Sequence, residues 1–191
     1  PGAKRRALDK GSLVTIRYED EHIVVVEKPP GVAVGYGEGV KGKESPGDTL
    51  VNRLRPALGE RGERDPNSSL FAAYRLDKEA SGLLLFTRNE RAREGIGHQI
   101  RRRQLERSFL VGVQGAPKED EGALTSGAVP DRSRRSRGGQ THYEVVERLG
   151  KASILRCKLD KARVTDLRVQ LSEAGFPILG ESLYLRGNEA T

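Results

Sequence analysis

Residues 74–86 read YRLDKEASGLLLF, and this stretch constrains the fold more than any other. An arginine, an aspartate and a lysine fall within four positions, Arg75 to Lys78. Ser81-Gly82 then leads into four apolar residues, Leu83 to Phe86. Such a run behind a small-residue turn reads as a buried strand. A buried strand needs no carboxylate at its entrance, because a charge in apolar surroundings is costly unless paired. The pattern raises the question of what a carboxylate does at the mouth of a hydrophobic strand.

Other segments repeat the strand signal. Ile23 to Val26 is a buried-strand run that Lys28-Pro29-Pro30-Gly31 must turn or break. SFLVGVQG and THYEVVERL read as strands, and SILRCKL alternates, with Leu155, Cys157 and Leu159 on one face and Arg156 and Lys158 on the other. Helical signals are fewer. Asp48 can cap a short helix carrying Leu50, Val51 and Leu54 and ending near Pro56. Asn89 reads as the N-cap of a longer helix, with Ala92, Ile96 and Ile100 on one face. Leu167, Leu171 and Ala174 form a last helical stripe that stops at Gly175. Gly35 to Gly47, Gly59 to Ser69 and the acidic Lys118 to Glu121 read as loops. Strand runs joined by short connections predict an α+β fold with a mixed, mostly antiparallel sheet flanked by helices and loops. Residues 1–11 read as a basic tail or linker end, and 12–191 as one domain.

The 191 residues carry a net charge of +7 and a pI near 9.7, which favours a polyanionic partner. With a single cysteine no internal disulfide can form, and a reducing compartment follows. The histidines, His22, His98 and His142, have no metal-ligand spacing, so no metal is expected. No apolar run reaches membrane-spanning length, and nothing at the start of the given sequence reads as a signal peptide. The chain starts at Pro1 and contains no methionine, as expected of a piece of a longer protein.

Gly37, Gly39 and Gly42 fit G-x-G-x-x-G, and the same stretch nearly forms a phosphate loop ending at Lys43. Both patterns need a helix to open directly from the glycines. Glu44-Ser45-Pro46-Gly47 intervenes, so the segment reads as a surface loop. Two arginine clusters, Arg101-Arg102-Arg103 and Arg132 to Arg137 with Arg134 and Arg135 inside it, read as solvated faces or as RNA contacts.

YRLDKEASGLLLF resembles the catalytic signature of the RluA-type pseudouridine synthases, in which an R-L-D triplet precedes a Ser-Gly turn and a leucine-rich strand. VVVEKPPGVAV is similar to that family's first strand and Lys-Pro-x-Gly turn, and RSFLVGVQG to a strand that usually carries a tyrosine. KARVTDLRVQLSEAGFPILGESLY is similar to its closing helix and Gly-x-Pro-Ile-x-Gly-Asp-x-x-Tyr motif. The four segments follow the family's order from about Ile23 to Tyr184.

The resemblance implies the pseudouridine synthase catalytic-domain fold and isomerisation of uridines in ribosomal or transfer RNA, without cofactor or metal. It implies Asp77 as the catalytic carboxylate, Arg168 as its ion-pair partner, and Arg75 as the residue that helps hold a flipped base. Phe109 would pack on the uracil, and Leu171 would line the pocket. No membrane or DNA partner is expected, a monomer is the default with oligomeric state open, and the compartment is a reducing, RNA-containing one, bacterial cytoplasm or an organelle. The sequence departs from the pattern at Tyr74 for His, Phe109 for Tyr and Glu181 for Asp. The closing helix reads Arg163-Val164-Thr165-Asp166-Leu167-Arg168 where the family has Arg-Thr-His-Gln-Ile-Arg. A non-catalytic RNA-binding protein or ribosome assembly factor on the same fold is the alternative these changes leave open.

Overall fold

In the computed structural model of the chain, residues 14–35, 48–59, 70–125, 139–160 and 164–184 are described. The chain forms two compact units, Pro1–Arg102 and Arg103–Thr191. Each is built on its own four-stranded antiparallel sheet. The α+β class and the antiparallel bias follow the sequence pattern, but the strands divide between two sheets instead of joining one.

In the first unit β1 (Thr15–Glu19), β2 (Ile23–Lys28), β3 (Phe71–Ala72) and β4 (Gly82–Thr87) lie in the order β1-β2-β4-β3. Val24 and Val26 of β2 face the core opposite Phe86 and Leu84 of β4, and all four are fully buried. The apolar run Leu83 to Phe86 is therefore not buried throughout. Leu83 is 58% exposed, because successive side chains of a strand take opposite faces. The same alternation carries Lys28 onto the core face, two positions after Val26 and opposite Gly82.

α1 (Leu50–Gly59) buries Leu50, Val51, Leu54, Ala57 and Leu58. Its cap is Thr49, whose hydroxyl accepts from the Asn52 N–H at 3.3 Å and whose carbonyl accepts from the Arg53 N–H at 3.0 Å. Asp48, the expected cap, pairs instead with the Arg53 guanidinium. The helix also continues through Pro56, where the sequence suggested a stop. Pro56 is exposed, while its neighbours Ala57 and Leu58 are buried and hold the last turn in place. In α2 (Glu90–Arg101) the Asn89 side chain accepts from the Ala92 N–H at 2.8 Å, as a cap should. Ala92, Ile96 and Ile100 form its half-buried face, and no α2 residue is fully buried.

In the second unit β5 (Ser108–Gln114), β6 (Glu121–Thr125), β7 (Gln140–Arg148) and β8 (Ala152–Asp160) lie in the order β5-β8-β7-β6. Leu155, Cys157 and Leu159 of β8 pack with Val111 and Val113 of β5 and with Leu167 and Leu171 of α3 (Val164–Glu173). Burial pushes the Cys157 thiol up to about 12. α3 ends as its glycine predicts. Gly175 has φ +85°, its N–H donates to the Ser172 carbonyl at 3.1 Å, and the Phe176 N–H reaches the Leu171 carbonyl at 2.9 Å. Ala174 lies beyond the last turn and is exposed, so it drops out of the stripe.

An α1 freed of its internal proline should be more stable, since proline removes a helical hydrogen bond. Pro56→Ala is expected to raise the unfolding free energy by about 1–3 kcal/mol in urea denaturation. No gain would show that the last turn owes nothing to helical hydrogen bonding.

Candidate active site

The R-L-D triplet lies in the connection between β3 and β4. Leu76 is buried and anchors it, Arg75 is exposed and Asp77 is half-buried. The turn that follows closes through the Ala80 N–H on the Asp77 carbonyl at 3.2 Å. Gly82, with φ +126°, then takes the chain into β4. That φ lies in the region open to glycine but strained for other residues. Tyr74 fixes the approach by donating its hydroxyl to the Leu83 carbonyl at 3.0 Å.

Lys28 holds this loop from beneath. Its ammonium is fully buried and donates to three carbonyls: Pro29 at 3.0 Å, Val32 at 2.8 Å and Lys78 at 2.9 Å. The Lys78 carbonyl also accepts from the Gly31 N–H at 2.9 Å, where φ of +80° closes the Pro30-Gly31 turn. Two donors from the Lys-Pro-Pro-Gly turn thus meet on the carbonyl next to Asp77. Desolvation lowers the Lys28 pKa, and the Glu79 and Asp77 carboxylates oppose that by favouring the charged form. The sequence reading missed Lys28 as a site residue. Its signal was parity, since it continues the core face of Val24 and Val26.

The second unit carries Arg168, Phe109 and Leu171. Arg168 lies in α3 and makes a two-pronged pair with Glu181, Nε to Oε2 and Nη2 to Oε1, both at 2.7 Å. The Glu181 side chain is only 2% exposed. Its Oε1 also accepts from the N–H groups of Ser182 at 3.0 Å, Leu183 at 2.8 Å and Tyr184 at 3.4 Å. The Tyr184 ring lies 4.9 Å from the guanidinium carbon. Hydrogen bonding from Arg168, aided by the backbone donors, holds the Glu181 carboxyl at about 2. Asp166, two residues earlier in α3, is also buried.

Phe109 is half-buried on β5 opposite Cys157 and packs on the core cluster. Leu171 belongs to that cluster and has no exposed surface, so its place is in the wall behind other side chains. Arg101 ends α2, Arg102 is its C-cap, and both are exposed. Arg103 has φ +58° and donates to Asp160 at 3.0 Å. Arg134, Arg135 and the glycine segment 37–43 lie outside the described residues. Among the described residues no group of His, Cys, Asp or Glu could hold a metal ion, and no helix is long and apolar enough to cross a membrane.

The sequence pattern described as RNA pseudouridylate synthase matches residues 22–173, spanning the Lys28 turn, the R-L-D loop and α3. The chain belongs to the RNA pseudouridylate synthase family. It is 31% identical to a ribosomal large subunit pseudouridine synthase D of Xylella fastidiosa, covering 96% of this chain and 55% of that protein. It is 32% identical to an uncharacterized RNA pseudouridine synthase of Aquifex aeolicus, covering 90% and 56%. The chain thus spans about half the length of the curated relatives it matches. Human RNA pseudouridylate synthase domain containing 4 shares the fold with TM-score 0.69 at 23% identity, covering 91% of this chain and 69% of that one.

Two outcomes follow from the two anchors. Lys28→Met leaves three carbonyls without their shared donor, and is expected to lower the unfolding free energy by about 2–4 kcal/mol. Urea denaturation measures this, and an unchanged midpoint would dismiss Lys28 as an anchor. Glu181 has a folded pKa of about 2 against an ordinary 4.5, so its contribution is complete above pH 4.5 and is lost as pH falls towards about 2. Glu181→Gln should flatten the pH dependence of stability in that window, as read by thermal melts from pH 5 to about 2.

Proposed function

We propose that the chain is an RNA pseudouridine synthase that isomerises specific uridines in ribosomal or transfer RNA. The reaction breaks the bond from ribose C1′ to uracil N1, turns the base and joins C1′ to C5; the C5 proton leaves to solvent and N1 takes one up, so the net change is an isomerisation. Asp77 supplies the ionised carboxylate this chemistry needs close to the sugar. Arg168 is the cation that keeps it charged. The target uridine leaves its stack at a cost of about a few kcal/mol, and Arg75 helps hold the flipped state. Phe109 packs on the uracil face with the Leu171 core behind it. Arg101, Arg102, Arg103, Arg134 and Arg135 contact the phosphate backbone. The chemistry requires no cofactor, and the protein acts as a monomer.

One observation carries this reading. The carbonyl next to Asp77 is gripped by both the Lys28 ammonium and the Gly31 N–H, so the loop bearing the carboxylate is held at its backbone. Such holding is what a reacting group requires, because small misplacements are costly in rate. A loop that only touched RNA would have no need of a buried ammonium beneath it.

The second reading, an RNA-binding protein without activity, is favoured by Phe109. It keeps the aromatic face but has no hydroxyl to donate a proton or a hydrogen bond.

RNA carrying tritium at uracil C5, prepared from cells lacking the protein, separates the two readings. The wild-type chain should release tritium to water, and Asp77→Asn should release at least about a thousand-fold less. No release from the wild type, with salt-dependent RNA binding intact, would establish the second reading.

A further inference from the structure

Arg168 is a flexible side chain given one orientation by its surroundings. Its Nε and Nη2 are both engaged by Glu181. A two-pronged pair of this kind fixes the plane of the guanidinium as well as its position. Glu181 in turn cannot swing, because Oε1 sits among three consecutive backbone N–H groups, Ser182 to Tyr184. The turn that presents those groups is fastened twice. The Glu181 N–H donates to the Ile178 carbonyl at 2.9 Å, and the Ser172 hydroxyl donates to the Tyr184 carbonyl, tying the turn to α3. The Tyr184 ring lies against the guanidinium.

We propose that Glu181 is the positioning residue for Arg168: it occupies the Nε–Nη2 edge and aims the Nη1 side of the guanidinium in a single direction. The inference rests on the role proposed for Arg168 above. Glu181 balances part of the guanidinium charge, so Arg168 can keep a neighbouring carboxylate ionised only through N–H groups that are correctly directed. The residue needed at 181 must then be a carboxylate that reaches the guanidinium while its Oε1 stays in the backbone cradle. An isosteric amide keeps the shape but sets an NH2 group against the guanidinium, or gives up one prong.

The experiment compares Glu181→Gln, Glu181→Asp and Ser153→Ala in the full chain. Ser153→Ala removes the hydrogen bond that the buried Ser153 hydroxyl donates to the Gly115 carbonyl in the same unit, and serves as a stability control remote from Arg168 in sequence. Tritium release at pH 7 should show kcat of Glu181→Gln reduced about 10- to 100-fold with KM within about threefold. Glu181→Asp should retain kcat within about fivefold of wild type, and Ser153→Ala should keep it unchanged. In NMR spectra, the Arg168 Nε–H signal should be protected from solvent exchange in the wild type and lost in Glu181→Gln. Equal kcat for wild type and Glu181→Gln, or an equal loss in Ser153→Ala, would reduce the pair to a fastening of α3 and overturn the proposal. A protected Nε–H signal in Glu181→Gln would overturn it as well. If the wild type releases no tritium, the functional reading fails, and the Nε–H signal alone decides whether Glu181 holds Arg168.

Discussion

A buried ammonium must find acceptors or lose its charge, and Lys28 has found three backbone carbonyls. Two of them belong to its own turn, Pro29 and Val32, and the third comes from Lys78, fifty positions along the chain. The rest of the first unit serves that arrangement. β2 brings Lys28 to the core face, Gly82 stands opposite it in β4, and Gly31 adds its N–H to the same distant carbonyl. Segments far apart in sequence, a proline-rich turn and a charged loop, are joined because a single cation takes acceptors from both.

The second unit solves a related problem in the opposite way. There the deeply held group is an anion, Glu181, and the backbone supplies N–H donors where the first unit supplies carbonyls. The charge is balanced by a side chain, Arg168, and not by the peptide dipoles alone. Lys28 therefore fixes a loop, whereas Glu181 fixes a side chain.

Much of this was legible in the sequence where one local rule decided the outcome. The alternation in β8, the Asn89 cap and the Gly175 stop each depend on residues a few positions apart, and all three took the expected form. The failures had longer reach or competing rules. Asp48 is as good a cap as Thr49 by residue type, but Arg53 claimed its carboxylate. Pro56 breaks an isolated helix, but here the burial of Ala57 and Leu58 outweighs it. β1, β3 and β6 are short or polar, and only pairing with a neighbouring strand defines them. In the candidate site, Asp77, Arg75 and Arg168 were named from motif order and their roles are proposals, whereas Lys28 and the grip of Glu181 depend on partners that sequence spacing does not reveal.

Cys157 has a consequence for how this protein can be studied. It is the chain's one cysteine, it is fully buried, and its thiol is held far from the thiolate form that reagents attack. To a maleimide or a spin-label reagent the folded protein is in effect thiol-free. A cysteine introduced at an exposed position, on the R-L-D loop or along the arginine face of α2, would be the sole reactive handle without deleting a native residue from the core. Fluorescent or paramagnetic reporters can then be placed on this protein one at a time, with loss of the native fold marked by the sudden appearance of a second labelled site.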